Sequence, residues 1–167
     1  MGINLILGLK LLGGNIISNI GIKDLNPNQE LRIEMEMNQI AFPDDRSVPE
    51  VNILKDEDIF KCDVFIFCAS KNVPDVDEKV EDPRLMQFES NRKLIRDFGK
   101  AALENNFNGL FAVVSDPVDQ LAYELVNIGI SPYRIKGFGL GVMRSRACYF
   151  AKKIPIYHSD KDRRAHV

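Results

Sequence analysis

Apolar side chains recur along the chain in two periods, one typical of helices and the other of strands. The helical period predicts five helices, at residues 3–12, 26–40, 84–106, 118–128 and 142–152. Short β-branched or continuously apolar runs predict five strands, at residues 16–22, 51–54, 63–68, 110–114 and 133–138. Strands separated by helices pair in parallel through right-handed crossovers, so the predicted fold class is α/β.

Two of these elements carry more detailed expectations. The run 63–68 is continuously apolar after its first residue, which is typical of a strand that is buried on both faces. The helix at residues 84–106 is amphipathic, and its apolar side chains predict an inner stripe. That stripe consists of Leu85, Phe88, Leu94, Ile95, Phe98 and Ala102.

The stretch 70–83 is polar, contains two prolines and is rich in acidic residues. It shows no periodicity, so we expect a long loop. Loops of this length are more often functional than idle, and disorder is the alternative.

The composition restricts the class of protein. A chain of 167 residues with 45% hydrophobic residues predicts one globular domain, and its net charge of −2 argues against a basic nucleic-acid binder. The apolar stretch 3–12 is too short to span a membrane. Three cysteines form no C-x-x-C pair, and Cys62 and Cys68 are expected to be buried thiols in a reducing cytoplasm. No metal site is predicted.

Candidate chemistry lies beyond the carboxyl ends of the predicted strands, where open parallel sheets bind ligands. Asp24 ends a strand about twenty residues after Gly2, the spacing of an acidic residue that binds a cofactor ribose. A helix cap is the alternative role for Asp24. Residues 137–141 read G-x-G-x-G, one residue short of a dinucleotide fingerprint, so a packing turn is favoured there.

Three more polar residues fall at this edge of the predicted sheet. Asp116 joins a strand to a helix and could cap that helix. Arg84 and Arg146 could each bind a carboxylate through two hydrogen bonds, and solvated helix positions are the alternative.

Taken together, these motifs resemble one known family. The chain contains Asp82-Pro-Arg84 with Asn91, then Val-Val-Ser-Asp116-Pro-Val-Asp, and finally a Gly-x-Gly before Arg146. In this order, these motifs resemble those of the NAD-dependent lactate/malate dehydrogenases. The resemblance implies a Rossmann-like, doubly wound parallel sheet and hydride transfer between NAD and a small 2-hydroxy acid. Residues 1–153 would then be an incomplete dinucleotide-binding domain, and residues 154–167 a tail where the catalytic domain would begin.

The resemblance also implies roles for single residues in binding NAD. Gly2 would be the last glycine of the phosphate-binding turn, and Asp24 would bind the adenosine ribose. Ala69 would form the floor of the cofactor groove, while Asn91 and Asp116 would contact the cofactor.

On the substrate side, Arg84 would polarise the reacting carbonyl and Arg146 would bind the substrate carboxylate. Asp116 would also lie against the substrate, and the acidic loop 70–83 would be the lid that closes over it. The partner implied by these roles is a small 2-hydroxy or 2-oxo acid.

The chain departs from the family pattern at catalytic positions. Asp116 replaces an amide that donates to the substrate oxygen, which an ionised carboxylate cannot do. Met143 stands where the family has the Asp that orients its acid/base His. His158 and His166 lie too early for that His and lack its G-x-H-G surroundings.

The family's first strand and Gly-rich turn are also missing from the start of the chain. That strand would lie between the strand ending at Asp24 and the strand ending at Cys68, so both neighbours are expected to have unpaired edges. We expect a fragment truncated at both ends and inactive alone. Alternatives are one half of a split enzyme, completed by another chain, and a non-catalytic interaction module that uses the exposed edges, with a homo-oligomer as one form of it. Neither a nucleic acid nor a membrane is an expected partner.

Overall fold

The computed structural model describes residues 2–44, 46–70 and 82–154. Within these ranges the helices are α1 (Gly2–Leu12), α2 (Pro27–Asn38), α3 (Pro83–Glu104), α4 (Val118–Asn127) and α5 (Leu140–Ala151). The strands are β1 (Asn19–Ile22), β2 (Glu50–Ile53), β3 (Val64–Phe67), β4 (Leu110–Val113) and β5 (Ile135–Gly137). Short 3-10 turns occur at Asp56–Asp58 and Pro132–Arg134.

The predicted α/β class is confirmed, and the differences lie at the ends of elements. The prediction of a strand from residue 16 was wrong, because the N–H groups of Ile16 and Ile17 donate to the carbonyl of Gly13 and form a turn. Residues 132–134 form a 3-10 turn, so β5 begins later than predicted.

The strands form two parallel sheets that do not pair with each other. In one sheet β1 pairs with β2, and in the other β4 lies between β3 and β5. In the part of the chain that the structure describes, β1 and β3 therefore have a strand neighbour on one side only. This arrangement is the one expected from the resemblance.

Each sheet has its own hydrophobic core. The larger core packs α3 and α4 against β3 and β4, with Phe67, Ile95, Phe111 and Leu121 almost fully buried. The smaller core packs α1 and α2 against β1 and β2 around Val51, which has no exposed surface.

Three burial predictions were wrong, and the reasons are local. Val64 in β3 is 46% exposed, because β3 is paired on one side only. Leu85, which was predicted to belong to the inner stripe, is 56% exposed, because it lies in the first turn of α3. Cys62 precedes β3 and is exposed, and Cys68 follows β3 and is half-buried, so neither thiol is fully buried.

On the outer edge of β2, backbone groups form hydrogen bonds with a side chain. The amide of Asn38, the last residue of α2, accepts from the N–H of Val51 (2.9 Å) and donates to its carbonyl (2.7 Å). Buried Lys10 of α1 donates to the carbonyl of Pro49 (2.8 Å) and lies 3.4 Å from the Asn38 side-chain oxygen. These bonds join α1 and α2 to the edge of the sheet.

A buried carboxylate connects α3 to α4. Glu124 accepts from Arg96 (2.6 Å) and lies 3.2 Å from the Arg92 guanidinium. Burial opposes ionisation of Glu124, but the hydrogen bonds from Arg96 and Arg92 outweigh it and lower the pKa of the carboxyl below its usual 4.5.

Within residues 2–44, 46–70 and 82–154, none of the helices has the length and apolar character needed to cross a membrane.

We predict that Glu124→Gln lowers the free energy of unfolding by about 1–2 kcal/mol at neutral pH, because charge-assisted hydrogen bonds are lost. Since the folded-state pKa is depressed, the contribution is present above the unfolded-state pKa and disappears as pH falls through the folded-state value. Urea unfolding between pH 3 and 7, with exposed Glu89→Gln as the control, measures this. Equal pH dependence in the two variants would contradict it.

Candidate functional site

The carboxyl ends of β3 and β4 are joined by hydrogen bonds that continue past the strands. The carbonyl of Phe67 accepts from the N–H groups of Val114 (2.9 Å) and Ser115 (3.3 Å). The hydroxyl of buried Ser115 then donates to the carbonyl of Ala69 (2.6 Å). Ala69 is thereby fixed beside the loop that follows β4.

Asn91 ties the middle of α3 to the same junction. Its side chain has no exposed surface, and its Nδ2 donates to the carbonyl of Asp116 (3.1 Å) and lies 3.5 Å from the hydroxyl oxygen of Ser70. The structure therefore brings together three of the predicted site residues: Ala69, Asn91 and Asp116. The peptide bond between Asp116 and Pro117 is cis.

Asp24 lies just beyond the end of β1 and is exposed. Its Oδ1 accepts from the N–H of Asn26 (2.9 Å), while its own N–H donates to the buried carboxylate of Glu30 (2.8 Å). The side chain that caps α2 is Asn26, so Asp24 does not take the alternative role of a helix cap. One carboxylate oxygen of Asp24 is used in the turn, and the residue still faces solvent.

The first turn of α1 lies beside the end of β3. A Cβ placed on Gly2 would be 3.4 Å from the Sγ of Cys68, which is ordinary contact. Burial raises the pKa of the Cys68 thiol, and the carboxylate of Asp24 raises it further. Gly2, Asp24 and Cys68 thus belong to one region at the carboxyl edge of the sheets.

The predicted substrate residues are less closely grouped. Arg84 lies in the first turn of α3, where its N–H donates to Asp82, and its side chain is exposed. Arg146 is on α5, a helix with no buried residue. Among the described residues, neither guanidinium forms an ion pair or hydrogen bond with Asp116.

Asp116 does not cap α4, because the N-cap residue is Pro117 and no side-chain bond is made there. The described residues contain no cluster of His, Cys, Asp and Glu suited to a metal ion, as far as the structure extends. Residues 71–81 of the predicted lid, and both histidines, His158 and His166, lie outside the described residues.

Residues 137–141 fit the favoured interpretation of a packing turn. A Cβ on Gly137 would lie 2.7 Å from Cγ1 of Val118, so glycine allows the end of β5 to approach α4. Sequence reasoning missed the parts played by Ser115 and Glu30, whose side chains hold Ala69 and Asp24. The signal for Ser115 was its position directly after an apolar strand, where a hydroxyl can bond a neighbouring loop.

The parallel sheets, the crossover helices and the polar residues at the carboxyl edge define a Rossmann-like α/β protein. No protein-family model matches the chain. Two curated relatives match most of the chain. The L-lactate dehydrogenase of Oceanobacillus iheyensis is 26% identical over 83% of this chain and 42% of its own length. The malate dehydrogenase of Aliarcobacter butzleri is 24% identical over 84% of this chain and 43% of its own length.

Solved structures give the same result for the fold. The lactate dehydrogenase of Eimeria maxima with NADH and oxamate has a TM-score of 0.62 and 21% identity, and covers 83% of this chain and 40% of its own. The ligand-bound minor L-lactate dehydrogenase of Enterococcus mundtii has a TM-score of 0.58 and 20% identity, over 79% and 40%. The predicted resemblance to the lactate/malate dehydrogenase family is confirmed, and the chain spans less than half the length of these relatives.

We predict that Asn91→Ala lowers the free energy of unfolding by about 1–3 kcal/mol, because the hydrogen bond from the buried Asn91 amide to the carbonyl of Asp116 is lost. The neighbouring Ser90→Ala is the matched control, since the Ser90 hydroxyl donates to the carbonyl of Met86 within its own helix. Chemical denaturation measures both variants. A loss for Asn91→Ala no larger than for Ser90→Ala would contradict a joining role for Asn91.

Proposed function

We propose that the chain is the nucleotide-binding region of a NAD-dependent dehydrogenase acting on a small 2-hydroxy acid, with residues 1–153 as an incomplete dinucleotide-binding domain. The observation that carries the proposal is the hydrogen-bonded junction of Ala69, Asn91 and Asp116, beside Asp24 and the start of α1. The relatives named above are lactate and malate dehydrogenases, which supports the same kind of chemistry.

The residues at this edge fit a dinucleotide. Asp24 presents an exposed carboxylate, the group that accepts from ribose hydroxyls. The first turn of α1 contains no acidic residue, so its N–H groups and helix dipole favour an anion such as a pyrophosphate. Ala69 has a small side chain that leaves room for a ring above the end of β3.

NAD, when bound, supplies the hydride acceptor, and the chain supplies binding and charge. Arg84 is assigned to the reacting carbonyl and Arg146 to the substrate carboxylate, because a guanidinium stabilises developing negative charge and binds carboxylates through two bonds. Asp116 is assigned to the same region. As a carboxylate it accepts protons and hydrogen bonds, and it repels a negatively charged substrate instead of donating to it.

We predict that NADH binds with its affinity dependent on Asp24. Replacing Asp24 with Ala is expected to weaken binding about ten- to hundredfold, since a charge-assisted hydrogen bond to a ribose contributes about 1.5–3 kcal/mol. The chain contains no Trp, so NADH fluorescence can be followed without tryptophan background. Exposed Asp97→Ala on α3 is the control, and no binding by the unaltered chain at millimolar NADH would exclude the proposal.

A second prediction concerns turnover. We expect the 167-residue chain to catalyse neither lactate nor malate oxidation, because Met143 and Asp116 replace the groups that orient the acid/base His and donate to the substrate. NADH formation is measured by its absorbance over several hours, with an active lactate dehydrogenase as positive control. Turnover that survives repurification and disappears in Arg84→Ala would show that the chain is an enzyme by itself.

A second function, binding of another polypeptide, is favoured by a different observation. In the described part of the chain, β1 and β3 each present an unpaired edge. An unpaired edge can bind an extended segment through its backbone N–H and carbonyl groups.

A further inference from the structure

Hydrogen bonds around Asp24 hold the segment between β1 and α2. The N–H of Asp24 donates to Oε1 of Glu30 (2.8 Å), and Oδ1 of Asp24 accepts from the N–H of Asn26 (2.9 Å). The side chain of Asn26 then accepts from the N–H of Asn28 (3.1 Å) at the start of α2. Both the backbone and the side chain of Asp24 are therefore fixed by bonds to α2 and to the residues just before it.

Glu30 occupies a place on α2 that packing alone would give to an apolar residue. The buried residues of α2 are Glu30, Ile33 and Met37, which recur at the spacing of one helix face. Ile33 and Met37 belong to the core formed with β1 and β2. Burying a carboxylate costs free energy, and an apolar side chain of similar size in its place is often neutral or stabilising. Glu30 is therefore explained by the groups that it binds and not by packing.

The second group bound by Glu30 is the lysine that precedes Asp24. Nζ of Lys23 lies 3.7 Å from Oε1 of Glu30 and 3.0 Å from Oδ1 of Asp56, a residue of the 3-10 turn after β2. Among the residues that the structure describes, these are the carboxylates paired with Lys23, and the adjacent Asp24 carboxylate is not one of them. A lysine paired with Asp24 would compete with ribose hydroxyls for that carboxylate.

We propose that Glu30 is a positioning residue that prepares Asp24 to bind the hydroxyls of a ribose. This role rests on the proposed function, in which Asp24 binds the adenosine ribose of NAD. Glu30 fixes the backbone of Asp24 through its N–H, and it pairs with Lys23 beside that carboxylate. A carboxylate that is already held in place loses less freedom when a ligand binds, so its affinity for the ligand is higher.

The test replaces Glu30 by an apolar residue and by an isosteric one, and follows NADH binding by fluorescence. Glu30→Leu removes the acceptor and is expected to weaken NADH binding about fivefold, a smaller loss than for Asp24→Ala. Glu30→Gln keeps an oxygen that can accept from the Asp24 N–H, so most of the affinity should be retained. Glu36→Leu, at an exposed position of the same helix, is the matched control and should bind NADH like the unaltered chain.

A purely structural role is distinguished by measuring stability and ribose selectivity separately. Glu30→Leu should resist urea at least as well as the unaltered chain, since an apolar side chain packs on the core. In the Asp24→Ala background, Glu30→Leu should change NADH affinity less than about twofold, because the residue through which Glu30 acts is gone. The preference for AMP over 2′,3′-dideoxy-AMP, measured by competition with NADH, should fall about fivefold in Glu30→Leu, since these ligands differ only in ribose hydroxyls.

The amide of Asp24 reports on the same interaction without a ligand. Its hydrogen exchange should be slow in the unaltered chain and at least about tenfold faster in Glu30→Leu, because the acceptor of its N–H is removed. The amide of Leu54, which donates to the carbonyl of Ile22 at the end of β1, is the internal control and should not change.

Failure of this role and failure of the proposed function give different results. Equal NADH affinity in Glu30→Leu and the unaltered chain, or a loss that persists in the Asp24→Ala background, would overturn the positioning role. Failure of Glu30→Leu to fold, an equal loss in Glu30→Gln, or an unprotected Asp24 amide in the unaltered chain would overturn it as well. If the unaltered chain binds no NADH although its Asp24 amide is protected, the proposed function is wrong, and the role of Glu30 in ribose binding is wrong with it.

Discussion

Pairing of backbone groups in a parallel sheet is the constraint on which this structure depends, because the N–H and carbonyl groups on each side of a strand need a neighbouring strand, a side chain or water. Here β4 is paired on both sides, whereas β1 and β3 are paired on one. The division into two sheets, the two separate cores and the partial exposure of β3 all follow from this single interruption. Helix α1 is the element that spans it.

The polar junction at the carboxyl edge stabilises the half of the protein that has a continuous sheet. The buried side chains of Ser115 and Asn91 donate to carbonyl groups just beyond the ends of β3 and β4, those of Ala69 and Asp116. The region around Asp24 is held by the other half, through Glu30 in α2. A ligand that contacts both regions would therefore connect the two sheets, in addition to occupying a groove.

The α/β class, the order of elements and the separation of the two sheets could be predicted from the sequence, because hydrophobic period and motif order report on backbone topology. Burial at Val64 and Leu85 could not, since it depends on which neighbours pack against a strand or helix end. For the site, positions along the strands were predictable. The bonds of Ser115 and Glu30 were not, because a polar side chain reveals its partner only when the fold brings the two together.

Asn38 has a consequence for assembly that goes beyond stability. By occupying both backbone groups of Val51 it ends the hydrogen-bonded ladder of the sheet on that side. A strand that approached β2 from outside would meet the Asn38 amide in place of the two backbone groups of Val51, so pairing there is disfavoured. One amide side chain thus discourages growth of an extended sheet from the outer flank of β2.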